Sequence, residues 1–595
     1  MKTNLVALLL VVIVGGATAA EDKPDGAADA GKVQLTWGVK IPLRDGVKLD
    51  ATVYRPKDKT GPLPCVFTLT PYIAQTYSDR GLYFAAHGYP FLTVDARGRG
   101  NSEGVFRPMI QEATDGYDVV EWLARQPYCN GKVAMWGGSY AGYDQWATAK
   151  ERPPHLATIV PAAAAQAGVD FPMWNNIFYP YEVQWLTLVS GAAAQTALFA
   201  NDSFWAAKYR EWFESGRPFR DVDKIVGIPQ SEFQQEIEHP TQGAYWDAYN
   251  PTAEQYSKLT LPILTITGSY DADQPGALAY YRGHMRYGNE AAKANHYLVI
   301  GPWDHAGTRT PQAEFGGLKI GDASLVDLPK LHTDWYAWTM QDGTKPEFLK
   351  KRVAYYVTAA DRWRYADTLD GVTAEARPYY LDSRVNADDV FGSGLLKPEA
   401  AGTGDPDYYV YDPRDLSGAE LEASIDIESL VDQQLTYARA GKQVVYHTKS
   451  FDRDTEVSGF FKLTAWIKLD QPDTDFVAQV YEVLPNGSSV MLSYDMLRAR
   501  YRHSLRSATL VKPGAVERYD FEHFYFISRL VKKGSRLRLV LGPVNSMYSE
   551  KNYNTGGTVA EESITDARTV TVRVYHDTRH PSALYIPMAT PEGSQ

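Results

Sequence analysis

The sequence predicts an α/β domain that is interrupted by a helical insertion and followed by a separate all-β domain. Three observations predict this organisation. Short β-rich segments alternate with helical ones from 33 to 351, which is the pattern of a mostly parallel sheet covered by helices. An aromatic-rich stretch breaks that rhythm between 162 and 256. From 352 onward, alternating strands are separated by turn residues, as in packed antiparallel sheets.

Length and composition agree with several folded domains. The chain has 595 residues, several times the size of one hydrophobic core. Its 44% hydrophobic and 22% charged residues are typical of folded proteins rather than disordered ones. The formal net charge of −12 argues against nucleic acid or an anionic lipid surface as a partner.

The first twenty residues have the order of a secretory signal. Lys2 precedes an apolar run at 5–14, and small residues, including Ala17 and Ala19, follow it. The apolar run is shorter than the roughly 20 residues that a membrane-spanning helix needs. We therefore predict a signal peptide at 1–20, a flexible lead-in at 21–32, and export to the periplasm or the extracellular space. No membrane association is expected after cleavage.

The strands of the α/β domain are predicted on both sides of the insertion. The domain is therefore discontinuous, with a first part at 33–161 and a second part at 257–351, and the insertion at 162–256 is expected to form a helical cap. Helices are expected between the strands and, within the cap, at 202–215. The predicted strands are 46–54 as an edge strand, 65–70, 90–95, 132–136, 261–267 and 296–300.

The region 352–595 is predicted to be a β-sandwich of two packed sheets. Its strands are rich in β-branched and aromatic residues, and turn residues separate them. The clearest strands are 459–469, 476–484 and 535–541, with turns at 485–487 and 533–534.

Two serines lie in glycine-rich frames of the kind that exposes a nucleophile. Ser102 fits the pattern G-x-S-x-G letter for letter, whereas Ser139 has Ala141 in the last position. A nucleophile elbow requires a strand that runs into a tight turn and opens a helix. Ser139 has that context, since the strand at 132–136 precedes it and a helix is expected at 143–150. We predict Ser139 as the nucleophile and Ser102 as a loop residue that shapes its own turn.

A serine nucleophile needs a neighbouring base, and the base needs a group that orients it. Asp271 follows the strand at 261–267, and His305 follows the strand at 296–300. The carboxyl ends of parallel strands meet at one edge of a sheet. The order Ser139, Asp271, His305 is the one that α/β-hydrolases use, so these three residues are predicted to form a catalytic triad.

Motifs along nearly the whole mature chain match one known family. They are TPY at 70–72, DARGRGNSEG at 95–104, QEATDGYD at 111–118, GGSYAG at 137–142, YD at 270–271, GPWDH at 301–305, DTDF at 473–476, LRARYR at 497–502 and HDTRHP at 576–581. Through them the chain resembles the family that joins Xaa-Pro dipeptidyl-peptidases, cocaine esterase and α-amino acid ester hydrolases, a subgroup of the α/β-hydrolases. The resemblance implies the same triad, a helical cap over the pocket and a C-terminal jelly roll.

The resemblance also implies an oxyanion hole. Its donors correspond to the backbone N–H of Tyr140 and the phenolic hydroxyl of Tyr72. Family members that favour α-amino acyl groups hold the ammonium with clustered carboxylates, two of them just after the triad aspartate. Here Asp273 keeps one carboxylate, while the next position, Gln274, has lost its charge. Asp273 is thus a candidate ammonium ligand or, alternatively, a solvated or structurally bonded loop carboxylate.

The cap supplies aromatic residues that could surround an apolar acyl group or simply form the packing of the cap. Phe171 and Trp174 are the substrate-binding candidates, and Phe178, Tyr179, Tyr181 and Trp185 lie near them in the chain.

The predicted function is an exported serine hydrolase that cleaves an ester or amide bond of a small-molecule or peptide acyl substrate through an acyl-enzyme. Its activity would be dipeptidyl-peptidase-like or that of an acyl esterase. An α-amino acid ester hydrolase or β-lactam acylase is one alternative. An inactive hydrolase scaffold that carries a β-sandwich binding module is the alternative from another class. A homo-oligomer is compatible with the sequence.

The chain contains no H-E-x-x-H motif and no clustered Cys/His spacing, so neither a metal nor a cofactor is expected. Its two cysteines are Cys65 and Cys129. The strands near them are neighbours in the α/β-hydrolase strand order, and an exported compartment permits disulfides. A bridge between Cys65 and Cys129 is therefore a further hypothesis.

Overall fold

The structure is a computed structural model that describes residues 29–590, apart from 401, 403 and 427. The predicted signal peptide, 1–20, and most of the predicted lead-in, 21–32, lie outside these residues. Among the helices of the described part, none combines the length and apolar character that crossing a membrane requires.

The first half of the chain forms one sheet of ten strands, most of them parallel. The spatial order is β1-β2-β4-β3-β5-β6-β9-β10-β13-β14. Seven neighbouring strands, from β4 to β13, run parallel, and β1, β2 and β14 are antiparallel additions at the two edges. The ten strands are β1 (Val33–Pro42), β2 (Lys48–Pro56), β3 (Leu63–Thr70), β4 (Phe91–Asp95), β5 (Cys129–Gly138), β6 (Leu156–Ala162), β9 (Ile263–Gly268), β10 (His296–Gly301), β13 (Val353–Val357) and β14 (Arg362–Ala366). Two short hairpins lie outside this sheet, β7 (Met173–Trp174) with β8 (Ile177–Phe178) and β11 (Glu314–Phe315) with β12 (Leu318–Lys319).

Helices cover the sheet and build the insertion. The helices of the sheet domain are α1 (Ser78–Ala86), α2 (Glu112–Ala124) and α3 (Tyr140–Lys150) before the insertion, and α11 (Gln274–Tyr287), α12 (Glu290–Ala294) and α13 (Leu328–Met340) after it. The insertion holds the β7–β8 hairpin and the helices α4 (Tyr181–Leu188), α5 (Thr196–Phe199), α6 (Asp202–Ser215), α7 (Val222–Val226), α8 (Ser231–Ile237), α9 (Ala244–Asp247) and α10 (Ala253–Lys258).

The second half of the chain is an all-β domain of thirteen strands. They are joined in one hydrogen-bonded network around a core of alternating apolar side chains. The strands are β15 (Thr373–Ser383), β16 (Gly394–Lys397), β17 (Asp407–Tyr411), β18 (Val444–Thr448), β19 (Thr455–Gly459), β20 (Lys462–Leu469), β21 (Asp475–Val483), β22 (Ser489–Arg498), β23 (Val516–Phe521), β24 (Ile527–Val531), β25 (Arg536–Pro543), β26 (Val570–Tyr575) and β27 (Ala583–Ala589), with short helices α14 (Ala419–Glu422) and α15 (Gln434–Ala438).

The predicted fold class is confirmed, since an α/β-hydrolase-type domain is followed by an all-β domain. The strands of the all-β domain form one continuous hydrogen-bonded network. Within it, β20 pairs with β23 along one edge and with both β26 and β27 along the other.

Three features of the strands differ from the sequence-based expectation. The strand predicted at 46–54 is not an edge strand, because β1 pairs with β2 on its outer side. The boundary expected at 352 falls before β13 and β14, which belong to the first sheet, so the chain enters the second sheet only at β15. The strand predicted at 459–469 is two strands, since Gly459 has φ of +131° at the end of β19.

The predicted disulfide is absent, since Cys65 and Cys129 are free, buried thiols. The strand register explains this result. Cys65 on β3 lies opposite Val133, and Cys129 lies opposite Leu63, so the two cysteines are not direct partners across the strand pair. The thiols nevertheless contact each other, and this contact together with burial raises the pKa of Cys65.

Candidate active site

The Ser139 turn (137–142) connects β5 directly to α3. The helix begins at Tyr140 rather than at 143, so the serine is the residue just before the first helical residue. Its backbone has φ of +61°, a region that non-glycine residues rarely adopt and that marks strain at functional sites. The Ser139 N–H donates to the carbonyl of Ala162 at 3.0 Å, which ties the turn to the end of β6.

Close backbone packing fixes the shape of the Ser139 turn. A Cβ on Gly142 would lie 2.8 Å from the carbonyl oxygen of Ala162, and a Cβ on Gly137 would lie 2.6 Å from the Cβ of Ala141. Because such separations are below any normal contact distance, only glycine fits at these two positions. The serine is thereby held at the carboxyl end of β5.

The Ser102 turn (97–104) has a different construction. The Ser102 hydroxyl donates to the carbonyl of Asp95 at 2.8 Å and accepts from the N–H of Asp50 at 2.7 Å. These two bonds connect the Ser102 turn to β2, which carries Asp50, and to β4, which ends at Asp95. The hydroxyl is therefore committed to holding the turn together, as predicted for a loop residue.

Asp271 and His305 come together at the ends of β9 and β10. These strands are in register at their last residues, Gly268 and Gly301, and Nδ1 of His305 lies 2.8 Å from Oδ1 of Asp271. The second carboxylate oxygen of Asp271 accepts from the Thr267 hydroxyl at 2.9 Å. This arrangement fixes the imidazole, with Nδ1 engaged and Nε2 directed elsewhere.

The turn that follows His305 packs against the Ser139 turn. A Cβ on Gly138 would collide with the guanidinium of Arg309, and the N–H of Arg309 is bonded to the carbonyl of Ala306 at 3.0 Å. Nε2 of His305 is buried and has no hydrogen-bond partner among the described residues. An imidazole nitrogen is thus left unsatisfied at the start of a turn that packs against the Ser139 turn.

Tyr72 follows β3 and lies beside the serine. Its hydroxyl accepts a hydrogen bond from Nε1 of Trp185 at 3.0 Å. Burial raises the pKa of Tyr72, and its contacts with Trp185 and Ser139 partly oppose this rise. The phenol is therefore neutral near pH 7 and is able to donate a hydrogen bond.

Tyr140 is the first residue of α3, so its N–H has no acceptor one turn earlier in the helix. Its side-chain hydroxyl is fully engaged elsewhere. It donates to Oε1 of Glu112 at 2.5 Å and accepts from the N–H of Met109 at 2.6 Å. Burial raises the pKa of Glu112 to about 7. Glu112, in the QEATDGYD motif at 111–118, thus supports the Ser139 turn through its hydrogen bond with Tyr140.

Asp273 lies beside the Asp271–His305 pair and is 1% exposed. Its Oδ2 is 3.8 Å from Nδ1 of His305, and its Oδ1 has no partner in the described part of the chain. Burial, together with the nearby carboxylates of Asp170 and Asp271, raises the pKa of Asp273, while Arg309 opposes the rise. A buried carboxylate oxygen without a donor is expected to attract a cation or a donor group.

Asp170 was not predicted from the sequence. Its side chain accepts from the backbone N–H of Gln166 at 2.8 Å and from that of Gly276. Burial and the nearby Asp271 raise its pKa to about 8. No local sequence signal identifies this residue, because it meets Asp273 only through the packing of the cap on α11.

Gln274 has a structural role. Its amide donates to the carbonyl of Gly268 at 2.8 Å and to that of Phe526 at 3.1 Å, and its Oε1 accepts from the N–H of Phe526 at 2.6 Å. A carboxylate could not donate these bonds. The Gln274 side chain therefore joins α11 to the all-β domain.

The two aromatic candidates of the cap are both buried. Phe171 packs edge-to-face on Trp185, with ring centroids 5.1 Å apart. Trp174 packs edge-to-face on Tyr494 and Tyr525 of the all-β domain, at 4.9 and 5.0 Å. Tyr525 in turn donates to the carbonyl of Ala272 at 3.2 Å. These contacts place the all-β domain against the cap and the loop that bears Asp271.

Two phenol oxygens of the cap, those of Tyr179 and Tyr181, are buried without a partner among the described residues. Burial raises the pKa of both phenols; Tyr72 and Asp273 add to the rise at Tyr181, and Asp170 and Asp273 add to it at Tyr179. Both unpartnered phenols are thus near the buried carboxyl group of Asp273. No group of three or more His, Cys, Asp and Glu side chains in the described residues could hold a metal ion.

Comparison with known proteins gives the family. Residues 45–307 match the model of the X-Pro dipeptidyl-peptidase S15 family, and 334–585 match that of the X-Pro dipeptidyl-peptidase C-terminal non-catalytic domain. The chain is 26% identical to a cocaine esterase of Rhodococcus sp., across 94% of this chain and 99% of that protein. It is 23% identical to a putative serine esterase of Mycobacterium bovis, across 93% and 95% of the two chains.

Solved structures share the fold along nearly the whole chain. An aminopeptidase from a marine sediment Thaumarchaeota archaeon superposes with a TM-score of 0.80 at 21% identity, covering 94% of this chain and 97% of that one. A selenomethionine-labelled α-amino acid ester hydrolase superposes with a TM-score of 0.79 at 21% identity, covering 97% and 100%. With both of its domains matched, the chain belongs to the S15 family of X-Pro dipeptidyl-peptidases and is a serine hydrolase.

Proposed function

We propose that the protein cleaves an acyl ester or amide through a covalent acyl-enzyme, with Ser139 as nucleophile, His305 as general base and Asp271 as the orienting carboxylate. One observation carries this proposal. The 2.8 Å contact between Asp271 and His305 leaves an unpartnered Nε2 in a turn that packs on the strained Ser139 turn. A positioned base next to an exposed nucleophile is the requirement for serine hydrolysis.

The chemistry then runs in two steps. The Ser139 oxygen attacks the acyl carbon while its proton passes to Nε2 of His305, and Asp271 stabilises the imidazolium that forms. The N–H of Tyr140 and the hydroxyl of Tyr72 donate to the acyl oxygen as it becomes negative. His305 gives its proton to the departing alcohol or amine, whose bond to the acyl carbon breaks. Water then attacks the acyl-enzyme by the same sequence.

Fluorophosphonate labelling followed by intact mass spectrometry tests the nucleophile. We expect one adduct on the native enzyme, none on Ser139→Ala, and an undiminished adduct on Ser102→Ala, which is the matched control. Labelling of Ser139→Ala at the native rate would contradict the proposal.

A preference for substrates with a free α-amino group is the second candidate, and it has its own support. The unpartnered Oδ1 of Asp273 lies on a buried carboxyl group next to His305, where it could pair with an ammonium group, and Asp170 is a second buried carboxyl group nearby. The loss of charge at Gln274 does not argue against this preference, because that amide is engaged with Phe526.

Phenylglycine methyl ester and phenylacetic acid methyl ester differ in the α-amino group, so they separate the two candidates. If Asp273 binds the amine, Asp273→Asn lowers kcat/KM by about 10- to 100-fold for the first ester alone, in line with about 1.5–3 kcal/mol for a charged hydrogen bond. Asp202→Asn, which removes an exposed cap carboxylate, should change neither rate. Equal losses on both esters would favour a general acyl esterase.

We also propose that the protein is exported. The support is the order of residues 1–20, with one lysine, an apolar run and small residues. Mass spectrometry of the protein from its native host should give a mature N-terminus near residue 20. An intact Met1 would contradict export by cleavage.

A further inference from the structure

The hydroxyl of Tyr72 is held by the inserted cap as well as by the sheet domain. Nε1 of Trp185 donates a hydrogen bond to Oη of Tyr72 at 3.0 Å. The direction of this bond is certain, because an indole nitrogen can only donate. Trp185 belongs to α4, so the bond crosses from the cap to the loop that follows β3.

This bond restricts the proton of the phenol. A phenolic O–H lies near the plane of its ring and has two orientations. In the orientation toward Trp185, the hydrogens of the two donors would face each other, so the bond selects the opposite orientation. Ser139 also contacts the phenol. The one proton that Tyr72 can donate is therefore directed toward the nucleophile.

Trp185 cannot turn away from Tyr72, because it is buried and packed on two sides. Its ring stacks on that of Tyr140, with centroids 5.4 Å apart and planes 23° apart. The ring of Phe171 meets it edge-to-face at 5.1 Å. Trp185 thus contacts both residues that supply the proposed oxyanion donors.

A second contact holds the same two segments together. The buried guanidinium of Arg99 donates to the carbonyl of Pro71 at 2.7 Å and to that of Val189 at 2.7 Å. Pro71 immediately precedes Tyr72, and Val189 immediately follows α4. The distance between the phenol and the indole is therefore fixed by the backbone as well as by their own hydrogen bond.

We propose that Trp185 is a positioning residue of the oxyanion hole, whose indole N–H holds the Tyr72 hydroxyl in the orientation that donates to the acyl oxygen. This inference rests on the proposed function, in which Tyr72 is one of the two donors. A donor that is already oriented needs no rearrangement as charge develops. The contribution of Trp185 is therefore expected in kcat rather than in KM.

The matched control is Trp205, another buried cap tryptophan, whose Nε1 donates to the carbonyl of Leu198 at 2.8 Å. Trp185→Phe should lower kcat for p-nitrophenyl butyrate by about tenfold with little change in KM, which is the size expected for one hydrogen bond. Trp205→Phe should stay within about twofold of the native enzyme. Replacement of Trp185 by 3-benzothienylalanine, which keeps the ring shape without the N–H, guards against a folding defect and should reproduce the loss.

A double-mutant cycle with Tyr72→Phe separates positioning from packing. If Trp185 acts through the phenol, Trp185→Phe has no further effect on kcat once the hydroxyl is absent. A tenfold loss that persists in the Tyr72→Phe background would overturn the inference, as would native kcat in the benzothienyl variant. Native kcat in Tyr72→Phe alone would remove Tyr72 as a donor and overturn the inference with it, whereas the proposed function fails separately, through native labelling of Ser139→Ala.

Discussion

The Ser102 turn and the Ser139 turn are similar in sequence and opposite in construction. The Ser102 turn fits the nucleophile pattern letter for letter, yet its hydroxyl is occupied by Asp50 and Asp95 at 2.7 and 2.8 Å. The Ser139 turn departs from the pattern, yet it joins a strand to a helix and holds its serine at φ of +61°. The comparison teaches that a match to the letters of the pattern does not determine the construction of a turn, since the Ser139 turn alone of the two has a strand directly before it and a helix directly after it.

The largest difference in kcat is expected between variants of two buried aspartates. Asp271 contacts the proposed base of the Ser139 turn, and Asp95 immediately precedes the loop of the Ser102 turn. Asp271→Asn should lower kcat by about 10⁴-fold, because the amide favours the wrong imidazole tautomer at His305. Asp95→Asn, which alters the acceptor of the Ala74 N–H at 2.7 Å, should lower the Tm and leave kcat within a few-fold. Steady-state kinetics and thermal unfolding of the two variants check this contrast. Comparable losses of kcat would remove the distinction between the turns.

A smaller effect is expected from Ser102 itself. Ser102→Ala leaves the N–H of Asp50 and the carbonyl of Asp95 without their partner, so the free energy of unfolding should fall by about 1–3 kcal/mol. Because the hydroxyl takes no part in the proposed chemistry, kcat should stay near the native value. Urea unfolding and ester kinetics on one preparation provide the measurement. A variant with native stability and lost activity would give Ser102 a role that the present account denies.

The last effect is a pH dependence of stability that arises from Glu112, which supports the Ser139 turn through Tyr140. Burial raises its pKa to about 7 from an ordinary value near 4.3. Between these two pH values the unfolded chain loses a proton that the folded protein keeps, so stability falls as pH rises, by at most about 1.4 kcal/mol per pH unit. Below this window and above it, Glu112 contributes no slope.

Glu112→Gln should flatten that part of the pH dependence in urea unfolding between pH 5 and 8. Glu151→Gln, at an exposed glutamate just after α3, serves as the control and should leave the native slope. If both variants keep the slope, Glu112 is not the titrating group beneath the turn.

Much of this molecule could be predicted from local sequence patterns. Asp271 and His305 were found because each follows a buried parallel strand, and strand ends meet at one edge of a sheet. The edge strand β1 was missed, and with it the interior position of β2, because strand pairing depends on partners distant in sequence. The start of α3 was placed three residues late, since the glycine-rich turn hides the first helical residues.

The rest of the site depends on contacts between distant segments. No pattern near Trp185 predicts that its indole reaches Tyr72, 113 positions earlier. Asp170 lacks a motif of its own, and Tyr72 was identified only through the family resemblance. Side-chain identity is local information, whereas the partner of a buried polar atom is decided by how the cap, the sheet and the all-β domain come together.

The amide of Gln274 has a consequence for anyone who wishes to re-engineer this enzyme. Restoring a negative charge at that position would be the natural way to strengthen recognition of amines, but the same edit would put an anion against the carbonyl oxygens of Gly268 and Phe526. A change at Gln274 that is made to alter substrate selectivity would therefore also alter the contact between the α/β domain and the all-β domain. Directed evolution toward amine-bearing substrates would have to restore that interdomain contact at the same time.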